Sequence, residues 1–379
     1  MAVAALDREQ QILCLAARTA LDDDATTRLA QRLDGPLDWE RLWAQAHVHE
    51  VAPLVTETLR RLGPGAGVSP AWMERARRRL YATLLHNRRL RDELLVVLDV
   101  LQDAGVEATA VKGVVLAQTL YANLALRPTA DLDVLVRPDD LVTARAALAG
   151  LGYAHAPESP FEALHHPYHD PQYYRATAAG EVCLELHHAL WASRFWGADD
   201  GLWERRVAAE LGGRPIRVLS GEDTLLHLAI HRARSPLRLR HLCDIAELLR
   251  MRGAALDWEL VGDGAKRIGA RTALHTALTL SDELLDAAAP AHVLRALGVG
   301  PLKRAVLART CGPRVLFRPA DPDDLEQQPH LTLRAFEQDG PARIVRTLAH
   351  APARKAHKLV HAVRRRARRP LSASAAAER

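Results

Sequence analysis

A chain of 379 residues that is 48% hydrophobic and 26% charged has the composition of an ordinary globular protein, with room for two domains or one large one. The net charge of +5 is concentrated between Arg354 and Arg369, where "RKAHKLVHAVRRRARR" carries eight Lys or Arg and no acid, so basicity belongs to the tail and not to the body. No stretch reaches the roughly 18 uninterrupted apolar residues of a membrane span, and the N-terminus turns acidic and polar within its first ten residues, unlike a secretory signal, so a cytoplasmic protein is expected.

Helical periodicity dominates the first hundred residues, an expected helical N-terminal region over 1–104. "REQQILCLAARTAL" comes first. In "DWERLWAQAHVHEVAPLVTETLRRLG" the residues Trp39, Leu42, Trp43, Ala46, Val51, Leu54, Val55 and Leu59 recur at spacings of mostly three and four, as one buried helix face requires. Asp38 is placed to cap it, and Gly63-Pro64-Gly65 ends it. A third helical stretch runs from Ala71 to Ala104. After Gly105 the texture changes. "VEATAVKG" and "DLDVLVRP" read as strands, separated by the helical "VVLAQTLYANLA", and "LVTARAALAGLGYAHA" is a helix ending near Gly152. "GEVCLELHHAL" alternates like a half-buried strand and "RPIRVL" gives another, so an α+β core is expected over 105–219. From Ser220, which with Asp223 approaches a capping box, the pattern is helical again, giving a helical C-terminal region over 220–353. The tail, 354–379, reads as basic and disordered, and no internal repeat is evident.

Two acids open the strand in "RPTADLDVLVRPDD". Side chains two apart on a strand share a face, about 6.6 Å apart along the chain, so Asp131 and Asp133 stand together. Paired carboxylates on a largely buried strand repel and are costly to desolvate unless a cation lies between them. Mg²⁺ or Mn²⁺ suits an all-oxygen site of this kind, and two-metal sites hold their ions about 3.5–4 Å apart. In "EVCLELHHALW", Glu185 shares a face with Cys183 and His187 and is the candidate third acid. His187 is the histidine best placed to contact phosphate or substrate, while His188 faces the other way. Lys112-Gly113 lies at a strand-to-helix junction, where glycine lets a backbone approach a phosphate closely. Lys112 and Arg127 supply positive charge, although Arg127 is equally suited to pairing with Asp131 or Asp139. Asp139 and Asp140 follow Pro138 and read as the cap of the next helix.

The layout "KG…LY…LR…DLDVLV…LGY…LELHHALW" resembles the bacterial uncharacterised nucleotidyltransferase family, a branch of the DNA polymerase β-like nucleotidyltransferase superfamily, over roughly Leu29 to Met251. The resemblance implies a small mixed sheet flanked by helices, Asp131 and Asp133 as metal ligands and Glu185 as the third carboxylate. It also implies transfer of a nucleoside monophosphate from an NTP, with ATP the first candidate, to an acceptor with release of pyrophosphate. One departure is plain: the superfamily's Gly-Ser before the phosphate-binding helix is here Lys112-Gly113, with no serine.

Other signals are weaker. His165, His166, His169, His187 and His188 fit no zinc spacing. "HLAIH", His227 and His231, lacks the glutamate of a metalloprotease helix, and "GDGAKRIG" follows no strand, so neither reads as a site. Asp244 reads as a cap or as an ion-pair partner of Arg240. The four scattered cysteines, Cys14, Cys183, Cys243 and Cys311, read as reduced thiols. Two rival functions share the fold: a catalytically silent nucleotide-binding or regulatory protein, and an RNA-modifying nucleotidyltransferase anchored to nucleic acid by the basic tail.

Overall fold

A computed structural model describes residues 6–63, 67–155, 171–178, 180–190, 196, 200–235, 237–317, 337–340 and 344. His165, His166, His169 and the basic tail lie outside the described residues.

Five helices lead: α1 (Arg8–Ala16), α2 (Asp23–Leu33), α3 (Trp39–Val48), α4 (Ala52–Leu62) and α5 (Pro70–Asp103). Asp38 caps α3 by accepting from the Arg41 amide at 2.9 Å, as its position before the apolar run predicts. The expected single helix from Trp39 onward is two. Glu50 has a positive φ of 58°, and Pro53 lies in the first turn of α4, where a ring without an amide hydrogen starts a helix but cannot continue one.

The sheet and its helices follow in order: β1 (Ala108–Val111), α6 (Gly113–Thr119), β2 (Leu132–Val136), α7 (Leu141–Gly150), β3 (Ala154–His155), β4 (Gln172–Thr177), β5 (Gly180–His187), β6 (Val207–Leu211) and β7 (Arg214–Val218). The strand order is β3-β4-β5-β2-β1-β7-β6. The sheet is mixed: β2 runs parallel to β5 and β1 parallel to β7, while the other neighbours are antiparallel. Asp140 stands at the N-cap of α7 as expected, but its side chain makes no capping hydrogen bond; the turn before it is a short 3₁₀ segment from Pro138.

Helices return with α8 (Gly221–Arg234), α9 (Leu239–Arg252), α10 (Trp258–Ile268), α11 (Arg271–Leu285), α12 (Ala291–Ala296), α13 (Pro301–Cys311) and α14 (Pro313–Leu316). Ser220 caps α8 by accepting from the Asp223 amide at 3.1 Å. All four cysteines are free thiols. No described helix is long and apolar enough to cross a membrane.

The sheet's two faces are buried differently, and that partition places the site. Val134, Val136, Leu132, Leu184 and Leu186 point to one face and pack with Leu90, Leu94, Val97 and Leu101 of α5. Those four helix residues fall at spacings of four, three and four, one stripe of an amphipathic helix. Val111 and Leu135 point to the opposite face and join the larger cluster built from α1–α4 and α8–α11. The upstream end of α5 reaches that second cluster through Trp72, which packs against Trp39 and Trp43 at ring separations of 5.5 and 5.8 Å. Because residues two apart share a face, Asp133, Glu185 and His187 project with Val111 and Leu135, toward the helical body.

Candidate active site

Register brings the acids together. In the parallel β2–β5 pair Asp133 lies opposite Glu185 and Leu135 opposite His187, while Val111 of β1 lies opposite Asp133 on the other side. One ligand atom from each of Asp133, Glu185 and His187 falls within 4.8 Å of the others, which makes them a set able to hold a metal ion. Two of the three donors are carboxylates, the chemistry that suits Mg²⁺ or Mn²⁺.

Asp133 is 4% exposed. Its Oδ1 is 2.7 Å from Lys112 Nζ and 2.8 Å from His187 Nε2. Burial works to raise the carboxyl's pKa, but the Lys112 charge and the His187 hydrogen bond outweigh it and hold the group ionised, well below the usual aspartate range. Glu185 accepts from Gln172 Nε2 at 2.9 Å through Oε1, and the Tyr174 hydroxyl in turn donates to Gln172 Oε1 at 2.8 Å. Glu185 Oε2 is 3.8 Å from His187 Nε2.

Asp131 is half-buried at the residue before β2. Burial first, then the charges of Asp133 and Glu185, push its carboxyl up to about 7 against the counteracting Lys112 and Arg240. This is the behaviour expected of one acid in a crowded set. Arg240 of α9 was not legible as a neighbour, since nothing in its helical repeat marks it as facing a strand more than a hundred residues earlier.

Lys112-Gly113 forms a strained corner. Lys112 has φ 50° and ψ −142°, a conformation that side chains rarely adopt, and Gly113 follows with φ 43°. A Cβ at Gly113 would lie 3.2 Å from Thr129 Cγ2 and 3.5 Å from the Asp131 carbonyl, so glycine lets the corner close against the entrance to β2. Helix α6 spans only Gly113–Thr119, shorter than the sequence pattern predicts, and its dipole adds little beyond the Lys112 charge. A cavity of about 220 Å³ opens beside this corner, with Lys112, Thr119, Thr224 and His227 among its lining. The buried His227, expected as a core or surface histidine, has no hydrogen-bond partner for either ring nitrogen among the described residues.

Arg127, expected at the phosphates or paired with Asp131 or Asp139, is committed elsewhere. Its Nε and Nη2 donate to Asp244 Oδ1 and Oδ2 at 2.7 and 2.8 Å, and its Nη1 donates to the Gly113 carbonyl at 3.1 Å. The Tyr121 hydroxyl also donates to Asp244 Oδ1, at 2.8 Å. A buried, two-pronged ion pair thus ties α9 to the segment carrying the site and props the Lys112-Gly113 corner from behind. Asp244 accordingly pairs with Arg127 rather than Arg240. His187, expected to contact phosphate or substrate, lies 2.8 Å from Asp133 Oδ1 through Nε2. His188 is exposed.

The model of a family described as "Uncharacterised nucleotidyltransferase" matches residues 35–286, well over half of the chain, and the chain belongs to that family. No curated protein matches. Three solved structures show slight likeness. One is the solution structure of the antibiotic-resistance factor ANT(2'')-Ia, with 15% identity over 48% of this chain and 88% of that one, at a TM-score of 0.32. The crystal structure of ANT(2'')-Ia with adenylyl-2''-tobramycin has 15% identity over 47% and 97%, at 0.35. An antigenic nucleotidyltransferase-like protein from Paracoccidioides brasiliensis has 14% identity over 54% and 96%, at 0.34.

Two outcomes follow from this geometry. Removing either partner of the Arg127–Asp244 pair strands a buried charge, so Arg127→Met or Asp244→Asn should each cost about 3–5 kcal/mol in urea unfolding. The double variant Arg127→Met/Asp244→Asn should cost clearly less than the sum of the two single changes; additive losses would mean that the pair is not coupled. The second concerns Asp131. With its carboxyl raised from 3.8 to about 7, the folded state holds a proton that the unfolded chain has released, so stability falls as pH rises across that window. In EDTA, Asp131→Asn should therefore raise the urea midpoint over wild type at pH 8, and the gain should shrink toward pH 5.

Proposed function

We propose that the protein transfers a nucleoside monophosphate from an NTP, with ATP the first to test, to the hydroxyl or other nucleophile of an acceptor, releasing pyrophosphate. Membership of the nucleotidyltransferase family supports the reaction class. The observation that carries the reading is the parallel register that sets Asp133 opposite Glu185, beside Asp131 and Lys112.

Asp131, Asp133 and Glu185 are the residues that would hold Mg²⁺ or Mn²⁺, and His187 orients Asp133 through its 2.8 Å hydrogen bond. A divalent ion bound there would polarise the α-phosphate and stabilise charge building on the leaving oxygen. The chain's own groups do the rest. In the bond-making step the acceptor oxygen attacks Pα while the bond from Pα to the bridging oxygen of the β-phosphate breaks, and pyrophosphate departs with that electron pair. The acceptor's proton passes to a carboxylate, for which Glu185 is the candidate: Gln172 fixes one of its oxygens, so the other is presented in one orientation. Lys112 supplies positive charge at the phosphates. Arg127 serves them indirectly, by holding the Gly113 carbonyl and hence the corner that carries Lys112.

The test is incubation with each α-³²P NTP and Mg²⁺ or Mn²⁺, following nucleotide binding, pyrophosphate release and label transfer to a panel of acceptor alcohols, sugars and RNAs. Metal-dependent nucleotide binding and pyrophosphate release are expected from the wild type, with release falling to background in Asp131→Ala and Asp133→Ala proteins that keep the wild-type circular dichroism. A wild type that binds no nucleotide in the presence of either metal would overturn the reading. Metal-dependent binding without turnover in any condition would favour the silent, nucleotide-binding form of the fold.

A further inference from the structure

Asp133 has less to offer a metal than its position suggests. A carboxylate oxygen has two lone-pair sites. On Asp133 Oδ1 both are taken, one by Lys112 Nζ at 2.7 Å and the other by His187 Nε2 at 2.8 Å. No described residue donates to Oδ2. Two-metal sites hold their ions about 3.5–4 Å apart, a separation that a bridging carboxylate spans by giving one oxygen to each. With Oδ1 saturated, Asp133 has one oxygen left.

Nor is the lysine free to leave. Its side chain is 11% exposed, against 3% for Asp133. Its backbone is fixed by the strained corner, and the residue before it, Val111, lies directly opposite Asp133 in the β1–β2 ladder. The charges of Asp131 and Glu185 act on the same ammonium. Moving Lys112 into solvent would leave the Asp133 carboxylate buried with its strongest counter-charge gone, an arrangement that is strongly destabilising.

We infer that the Lys112 ammonium is a resident cation of the site, standing in the place of one of two metals, so that the protein binds a single divalent ion through Asp133 Oδ2, Glu185 and Asp131. The inference rests on the nucleotidyltransferase reading and specifies how that site differs from a two-ion one. Three carboxylates carry three negative charges, against which stand the Lys112 ammonium, the Arg240 guanidinium that acts on Asp131, and one divalent ion. An ammonium brings one positive charge where a divalent metal brings two, and it coordinates no hydroxyl, so it cannot lower an acceptor's pKa by ligation.

Mn²⁺ binding to the full chain, read by electron paramagnetic resonance with Mn²⁺ alone as probe, tests the inference. The wild type should give the spectrum of an isolated ion, at one site-bound Mn²⁺ per chain after subtracting what an Asp131→Ala/Glu185→Ala protein retains. Lys112→Met should take up a second ion and show the broadened spectrum of two spin-coupled Mn²⁺, while Lys112→Arg should keep the single-ion spectrum. A spin-coupled pair in the wild type, or one isolated ion in a folded Lys112→Met protein, overturns the assignment of Lys112 while leaving the metal-dependent reaction standing. No site-bound Mn²⁺ in any of these proteins overturns both. Should Lys112→Met fail to fold, the wild-type spectrum decides.

Discussion

A carboxylate charge buried to 4% exposure at the centre of a sheet is the constraint around which this protein is arranged. Asp133 cannot stay ionised there without partners, and an ionised group that loses its solvent is tolerated only when paired and hydrogen-bonded. Lys112 from the end of β1 and His187 from the end of β5 supply them, one from each strand flanking β2. The three strands are therefore held to their order and register by charge as well as by backbone ladders. A slip of one residue in the β2–β5 register would turn Asp133 toward the apolar face packed on α5.

From that constraint the division of labour between helices follows. The face carrying Leu132, Val134 and Val136 is closed by α5, whose stripe of Leu90, Leu94, Val97 and Leu101 leaves no room for charge. The charged face looks toward the helical body, and the body answers with its own polar groups: half-buried Arg240 near Asp131, buried His227 near Lys112, and buried Asp244 gripping Arg127. Arg127 shows how far the arrangement reaches. Its fork holds Asp244 of α9 on one side and the Gly113 carbonyl on the other, so the helical body and the Lys112 corner are set by one side chain. Asn87 of α5 fixes the same loop from the opposite side, donating to the carbonyls of Leu124 and Arg127 at 2.6 and 2.7 Å.

Much of the frame was legible in the sequence because its signals are local. The alternation of "GEVCLELHHAL", the apolar run after Asp131 and the glycine after Lys112 each carry their own period or punctuation, and the strands and the corner lie where these place them. The α+β class and the family follow from the same motifs. What was not legible depends on contacts between distant segments. Strands β3, β4 and β6 are short or polar and have no clear period of their own. Gln172, which holds Glu185, lies on one of them. The break between α3 and α4 was hidden by an apolar spacing that continues across it. The partner of Arg127 is 117 residues away, so a sequence reading could weigh only the nearby aspartates. His187 was correctly placed on the face of Glu185, but which neighbour it would bond was a matter of register, settled only when β2 and β5 lie side by side.

The acids at the β2–β5 junction are the proposed metal centre. Anomalous diffraction at the manganese edge from crystals grown with Mn²⁺ tests it most directly, because it locates the ion without reference to turnover or to the unknown acceptor. A strong anomalous peak among the carboxylates of Asp131, Asp133 and Glu185 is the result expected. Crystals saturated with Mn²⁺ that show no peak there, or a peak only at histidines elsewhere in the chain, would contradict it.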